Sequence, residues 1–225
     1  MIRQAKAVIF DLDGVIVDSN PAIEAFWKSW TDRESIPLTE ALTREWIHGR
    51  KAVDTVGGLF GHLTTARQQQ IIEDAFVFDQ TMQPPGVAGI VPFILDLNLL
   101  GIATGVVTSS HHSRMLQFLE ALGIADSFTG FVTAHDVTQG KPHPEPYLKM
   151  SAQLGIDPAS CLVFEDAVSG LRSAAAAGMQ VIAVGAESSR SLLMQEGASA
   201  LIPDFNVLKT LPSGIYLDDR LVFSF

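Results

Sequence analysis

The feature that most constrains this chain is an alternation. Short apolar runs at residues 7–10, 102–107, 131–133, 161–164, 181–184 and 200–202 are separated by segments of helical periodicity. Runs that are apolar throughout, rather than at every second residue, suit strands buried on both faces. Helical patterns at residues 86–99, 111–122, 144–154 and 167–177 lead into Gly101, Gly123, Gly155 and Gly178, and glycine is a common helix stop. Strands alternating with helices predict an α/β chain, a parallel sheet covered on both faces in the Rossmann-like manner.

One interval breaks the alternation. Between Asp18 and Pro84 there is no strand-like run, only helix-compatible stretches near 21–33, 39–47, 50–60 and 65–80. The expectation is a helical cap inserted after the first strand, residues 18–84, with residues 1–17 and 85–225 forming the core. "QPPG" (83–86) reads as its exit hinge and "SAAAAG" (173–178) as close-packed helix. The tail "SGIYLDDRLVFSF" (213–225) reads as a terminal strand or hairpin.

Charge and cysteine content narrow the function. The chain has 225 residues and a formal charge of −10, which argues against a nucleic-acid surface, since neutralising phosphates needs basic residues. A local pocket for a small phosphorylated substrate remains open. The single cysteine, Cys161, lies in an apolar run and reads as an inert buried thiol. No positive-then-apolar leader precedes the first strand and no apolar run approaches membrane-spanning length, so a cytoplasmic protein without membrane contact is expected.

In open parallel sheets, ligands bind beyond the carboxyl ends of the strands. The first run ends in Asp11, Leu12, Asp13 and Gly14, with Asp18 close behind. The second is followed by Thr108 and Ser109, and the fourth by Glu165 and Asp166; Lys141 opens "GKPHPEPY" between the third and fourth. Each set has a simpler reading: Asp and Gly favour turns, Thr and Ser cap helices, acidic residues suit helix N-termini, and lysines are usually solvated. That all of them fall on one sheet edge is hard to obtain from capping alone. Together they suit phosphoryl transfer. Asp11 and Asp166 offer oxygen ligands to a hard divalent cation such as Mg²⁺. A carboxylate can attack phosphorus, and Lys141 would offset the repulsion between two anions. Thr108 and backbone N–H groups can hold phosphate oxygens. Asp13, two residues beyond Asp11, is placed as a second acid or base.

"DLDGV", the "TSS" after the second strand, "GKPHPEPY" and "VFEDAVSGLRSAAAAGM" resemble the four motifs of the haloacid dehalogenase superfamily of hydrolases. The likeness spans nearly the whole core, and the insertion point resembles the subgroup with a helical cap. The resemblance implies Asp11 as nucleophile and Asp13 as acid/base, its backbone carbonyl on Mg²⁺. Thr108 and Lys141 would bind phosphate. Asp166 would ligate Mg²⁺, and Glu165, the fourth member of that metal set, would support the site. Dehalogenating members do not need the second aspartate, so Asp13 favours phosphate chemistry. The β-phosphoglucomutase branch carries a cap histidine and a cap arginine where this chain has Ile23 and Ala52. The overall layout is similar to bacterial sugar phosphatases.

Caps of this kind close over the site and select the substrate. Glu24, Trp27, His48, Arg50 and Ser109 are expected near it, with Glu24, His48, Arg50 and Ser109 as substrate contacts. Trp27 equally suits a cap core, and His111 and His112 suit the first turn of the helix they open. No histidine spacing suggests a metal site. The function expected is Mg²⁺-dependent hydrolysis of small phosphorylated sugars or polyols by a monomer or weak homo-oligomer. A sugar phosphomutase and a non-catalytic binding protein on the same fold are the alternatives.

Overall fold

Ala7–Phe10, the first apolar run, becomes a central strand in the computed structural model, which describes residues 3–225. A two-residue strand, β1 (Arg3–Gln4), precedes β2 (Ala7–Phe10). Four helices follow: α1 (Asn20–Arg33), α2 (Glu40–Trp46), α3 (Ala52–Phe60) and α4 (Thr65–Thr81). The chain then alternates through α5 (Ile90–Leu99), β3 (Ala103–Val107), α6 (His112–Ala121), β4 (Gly130–Val132) and α7 (Glu145–Leu154). It continues through β5 (Cys161–Glu165), α8 (Val168–Ala176), β6 (Gln180–Val184), α9 (Arg190–Gln195) and β7 (Ala200–Ile202). Three strands close it, β8 (Leu208–Leu211), β9 (Gly214–Leu217) and β10 (Arg220–Ser224).

The main sheet has the order β4-β3-β2-β5-β6-β7, and all its pairings are parallel. The chain runs outward from β2 to β4 and then returns to place β5 on the other side of β2. That reversal opens a crevice at the carboxyl ends of β2 and β5, the position where such sheets take ligands.

Both faces of the sheet are buried, as uniformly apolar strands require. Val8 and Phe10 join one cluster with Phe93, Phe164 and Phe205, where Phe10 and Phe164 stack with ring centres 5.5 Å apart. Ala7 and Ile9 face the other way, with Val163, Tyr147 and Met150. The inserted helices have a separate core of Trp27, Trp30, Ile47, Val56, Leu59, Phe60, Ile71 and Ala75. Thr39 and Thr64 cap α2 and α4, their side chains accepting from Leu42 N and Arg67 N. Entry to and exit from the insertion lie side by side: Asp18 N donates to Pro85 O, Val87 N donates to Ile16 O, and Val17 pairs with Gly86. Helix α5 therefore starts at Ile90, four residues later than the periodicity suggests.

The tail forms more than a hairpin. β8, β9 and β10 make an antiparallel meander joined by β1, in the order β1-β10-β9-β8. The β9–β10 turn is Asp218-Asp219, both at positive φ (50° and 59°), the conformation that two-residue hairpin loops favour and Asp tolerates. Helix α9 and strands β1 and β8 are absent from the sequence expectation. No helix among the described residues is long and apolar enough to cross a membrane.

Candidate active site

The β2–β5 ladder continues one step past Phe10, because Asp11 N donates to Phe164 O. That step sets Asp11 beside Glu165 and Asp166 at the sheet's carboxyl edge. Carboxylate oxygens of Asp11, Glu165 and Asp166 lie within 4.8 Å of one another. Lys141 reaches the cluster from the turn ahead of α7; its Nζ is 2.6 Å from Asp11 Oδ1, 2.5 Å from Glu165 Oε1 and 3.1 Å from Val107 O. The ammonium has three donors, and all three are engaged. Glu165 accepts from Lys141 and Tyr147 Oη on one oxygen and from the backbone N–H groups of Asp166 and Ala167 on the other. A carboxylate has about four lone-pair positions, so Glu165 is fully occupied as the counter-ion of Lys141. Asp11 and Asp166 have room to spare; Asp166 accepts from Asn20 Nδ2 at 2.6 Å.

Two glycines make the approach possible. A Cβ on Gly14 would lie 2.2 Å from Asp166 Oδ2, and Gly14 also takes a positive φ of 75°. A Cβ on Gly170 would lie 1.8 Å from Glu165 Oε1.

One buried cation among two buried carboxylates and a half-buried third leaves the cluster over-charged. Burial pushes Asp11 up to about 7; Lys141 pulls against it, and Glu165 and Asp13 add to it. Burial, then Glu165 and Asp11, raise Asp166 well above the ordinary carboxylate range. For Lys141 burial favours the neutral form, but Asp11 and Glu165 outweigh it and keep the ammonium charged. Hard oxygen donors carrying surplus negative charge, with no Cys or His among them, fit a divalent cation of the Mg²⁺ type.

Asp13 lies apart from that cluster. Its carboxylate accepts a fork from Arg114, with Nη2 2.6 Å from Oδ1 and Nη1 2.7 Å from Oδ2. Ser110 Oγ donates to Oδ2 at 3.0 Å, and Ser19 Oγ donates to Oδ1. Burial would raise the Asp13 pKa, but the Arg114 charge and these hydrogen bonds hold it below the ordinary range. Arg114 is 3% exposed. Sequence reasoning missed it, because one arginine in an amphipathic helix carries no sign of burial; it also missed Asn20, Ser19 and Tyr147, whose partners lie elsewhere in the chain.

The remaining expected residues divide between the site and a latch. Thr108 is buried at the site, its Oγ1 accepting from Ser110 N. Ser109 Oγ donates to Gly49 O and Ser169 Oγ to His48 O. Arg50 donates to Glu45 O and, across the boundary, to Lys141 O at 2.9 Å, with its guanidinium 5.3 Å from the Trp46 ring centre. Lys51 Nζ donates to Ala134 O at 2.7 Å. The turn at 47–51 thus binds the insertion to the core. Glu24 and His48 face each other at 2.8 Å. Both line an open groove of about 1330 Å³ that reaches Asp166. A smaller cavity of about 80 Å³ holds Asp11, Asp13, Thr108, His48 and Arg50 in its wall. Trp27 belongs to the insertion's core and edges that cavity. His111 precedes α6 at its N-cap position, without a side-chain capping bond, and pairs with His135, and His112 sits edge-on to Phe131.

Residues 8–184 match the family model described as haloacid dehalogenase-like hydrolase. The chain belongs to this family. It is 34% identical over 191 residues to hexitol phosphatase A of Escherichia coli, covering 81% of this chain and 84% of that one. It is 30% identical over 215 residues to glycerol-1-phosphate phosphohydrolase 2 of Saccharomyces cerevisiae, covering 92% and 85%. The crystal structure of β-phosphoglucomutase from Clostridium difficile superposes with a TM-score of 0.75 at 23% identity, over 92% of this chain and 94% of the other. That last likeness shows the shared fold.

Proposed function

We propose that this hydrolase is a Mg²⁺-dependent phosphatase acting on small phosphorylated sugars or polyols, through a phosphoryl group carried on Asp11. The observation that carries the reading is the Lys141–Asp11–Asp166 constellation at the crevice, with a second carboxylate, Asp13, held separately. Residues 1–17 and 85–225 act as the catalytic core and residues 18–84 as the cap.

An Asp11 oxygen attacks phosphorus, and the bond from phosphorus to the ester oxygen breaks. Asp13, which takes a proton from solvent once its hydrogen bonds to Arg114 loosen, gives it to the departing sugar or polyol oxygen. Water then attacks the phosphoryl group on Asp11 and gives a proton to Asp13; the bond from Asp11 to phosphorus breaks, which frees the Asp11 carboxylate, returns Asp13 to its protonated form and releases phosphate. Lys141 offsets the negative charge of nucleophile and phosphate, and Thr108 holds a phosphate oxygen with Ser109 beside it. Asp11, Asp166 and the Asp13 carbonyl would hold Mg²⁺, with Glu165 fixing Lys141 beside them. When bound, the cation screens the phosphate charge and keeps Asp11 ionised. Glu24 and His48 are the cap groups placed to bind hydroxyls.

The polyol and sugar-phosphate class is supported by the names of the two relatives, both phosphatases of small phosphorylated polyols. A mutase must hold a second phosphate in the cap. Here Ile23 and Ala52 pack into the hydrophobic clusters, and Arg50 is engaged in the latch. A panel of hexitol, hexose and glycerol phosphates tests the reading. Steady release of inorganic phosphate is expected. Isomerised sugar phosphate that depends on a bisphosphate would overturn it in favour of a mutase, and silence on the whole panel would favour a binding protein.

A further inference from the structure

Hydrogen-bond counting around Asp13 exposes a problem for an acid/base group. Its four acceptor positions are filled: Ser19 and Arg114 Nη2 on Oδ1, Ser110 and Arg114 Nη1 on Oδ2. A carboxylate so saturated has no lone pair left to give or take a proton, so it must leave part of this set during turnover. Leaving strands Arg114, which is buried, and an unpaired buried charge is strongly unfavourable.

The structure holds a second partner for that charge. Arg114 Nη1 also donates to Ser110 Oγ, and Nη2 lies 3.2 Å from Met82 Sδ. Its Nε is buried and makes no hydrogen bond among the described residues, yet lies 3.3 Å from Asp79 Oδ1. The distance is that of an ion pair, but the N–H is not aligned on the oxygen. Asp79 comes from α4 in the inserted helices, whereas Asp13 and Arg114 belong to the sheet side. Asp79 is only partly buried, and burial pushes its pKa up to about 6 against the pull of Arg114. An ionised Asp79 is therefore costly to the folded chain, as expected of a group retained for a task other than stability.

We infer that Arg114 is a positioning residue for Asp13, and that Asp79 of the cap takes up the Arg114 charge when the Asp13 carboxylate turns to the substrate. The inference rests on the acid/base reading of Asp13. It adds a role for two residues outside the expected motifs. It also ties the acid/base to the cap, since the guanidinium touches both.

p-Nitrophenyl phosphate separates the two half-reactions. Its phenolate leaves without a proton, so phosphorylation of Asp11 does not need Asp13, whereas the water step does. Rapid-mixing kinetics with Mg²⁺ present then give a burst rate for the first and a steady rate for the second. Asp79→Asn is expected to keep the burst within about twofold and to lower steady kcat about tenfold, with KM nearly unchanged, a fraction of the full acid/base contribution. Arg114→Lys keeps the charge but loses the fork; it is expected to lower steady kcat about 10–100-fold, again sparing the burst. Asp79→Asn should not lower the melting temperature at neutral pH. Wild-type kcat in both variants, or burst and steady rate falling together, would overturn the inference. Asp13→Asn is the control: if it leaves the steady rate intact, the acid/base reading falls and takes this inference with it. If Asp13→Asn is slow while both other variants run normally, the inference alone fails.

Discussion

Removing the Arg50 side chain distinguishes a latch from a substrate contact. Of its three interactions, those with Glu45 O and the Trp46 ring stay inside the insertion; only the bond to Lys141 O, at 2.9 Å, crosses to the core. Arg50→Ala therefore removes one charge-assisted hydrogen bond from the closed arrangement. A bond of that type contributes about 1.5 kcal/mol at the low end suited to a half-buried side chain. If the site works only when the insertion is seated on the core, kcat/KM should fall about tenfold, since 1.4 kcal/mol corresponds to a factor of ten. Other crossing interactions remain, among them those of Ser109, Ser169, Lys51 and Asn20, so closure is weakened rather than lost. The assay compares a sugar or polyol phosphate with p-nitrophenyl phosphate, whose leaving group has no hydroxyls. A latch predicts equal losses on both. A loss confined to the sugar phosphate would refute this reasoning and return Arg50 to the substrate side of the site.

Gly170→Ala forces a methyl into Glu165 Oε1 and breaks the pairing with Lys141; a loss of about 3–5 kcal/mol in denaturant unfolding, or failure to fold, is expected. Asp79→Asn should change the pH dependence of stability. A carboxyl whose folded pKa is raised to about 6 stabilises the fold fully below its unfolded value of about 4 and loses that contribution as pH rises through 6. Urea unfolding should thus show the variant gaining about 1–3 kcal/mol on wild type between pH 4 and pH 8, and an unchanged difference would refute the assignment. Chelation should silence the enzyme and Mg²⁺ restore it, while Ca²⁺, with its larger and looser shell, should bind without restoring turnover; full activity after exhaustive chelation would contradict the metal assignment.

The core was legible because its signals are local. Strands that are apolar throughout, such as residues 7–10 and 200–202, appear where the sequence places them, and the third slides by one residue to Gly130–Val132. The crevice residues were legible because each directly follows a strand or opens a proline-bounded turn. What stayed hidden depends on distant partners. β1 is two residues long and exists through its pairing with β10. Helix α9 is a turn and a half long with one buried residue, Leu193. Burial of Arg114 is decided by Asp13, 101 positions away. The direction of Arg50 is decided by the carbonyl of Lys141, 91 positions on. The sequence expected His48 and Arg50 near the site, but carried no sign of whether their side chains meet the substrate or the opposite wall.

The central claim is that Asp11 carries the phosphoryl group. Borohydride reduces an acyl phosphate to the alcohol, which converts a phosphorylated aspartate to homoserine and leaves a free carboxylate alone. The enzyme quenched during turnover with Mg²⁺ and a polyol phosphate, then reduced and mapped by mass spectrometry, should carry homoserine at position 11 and nowhere else, and none when substrate is omitted. An unmodified Asp11 in enzyme that is turning over and accumulating phosphoenzyme, or homoserine at Asp13 or Asp166 instead, would contradict the account.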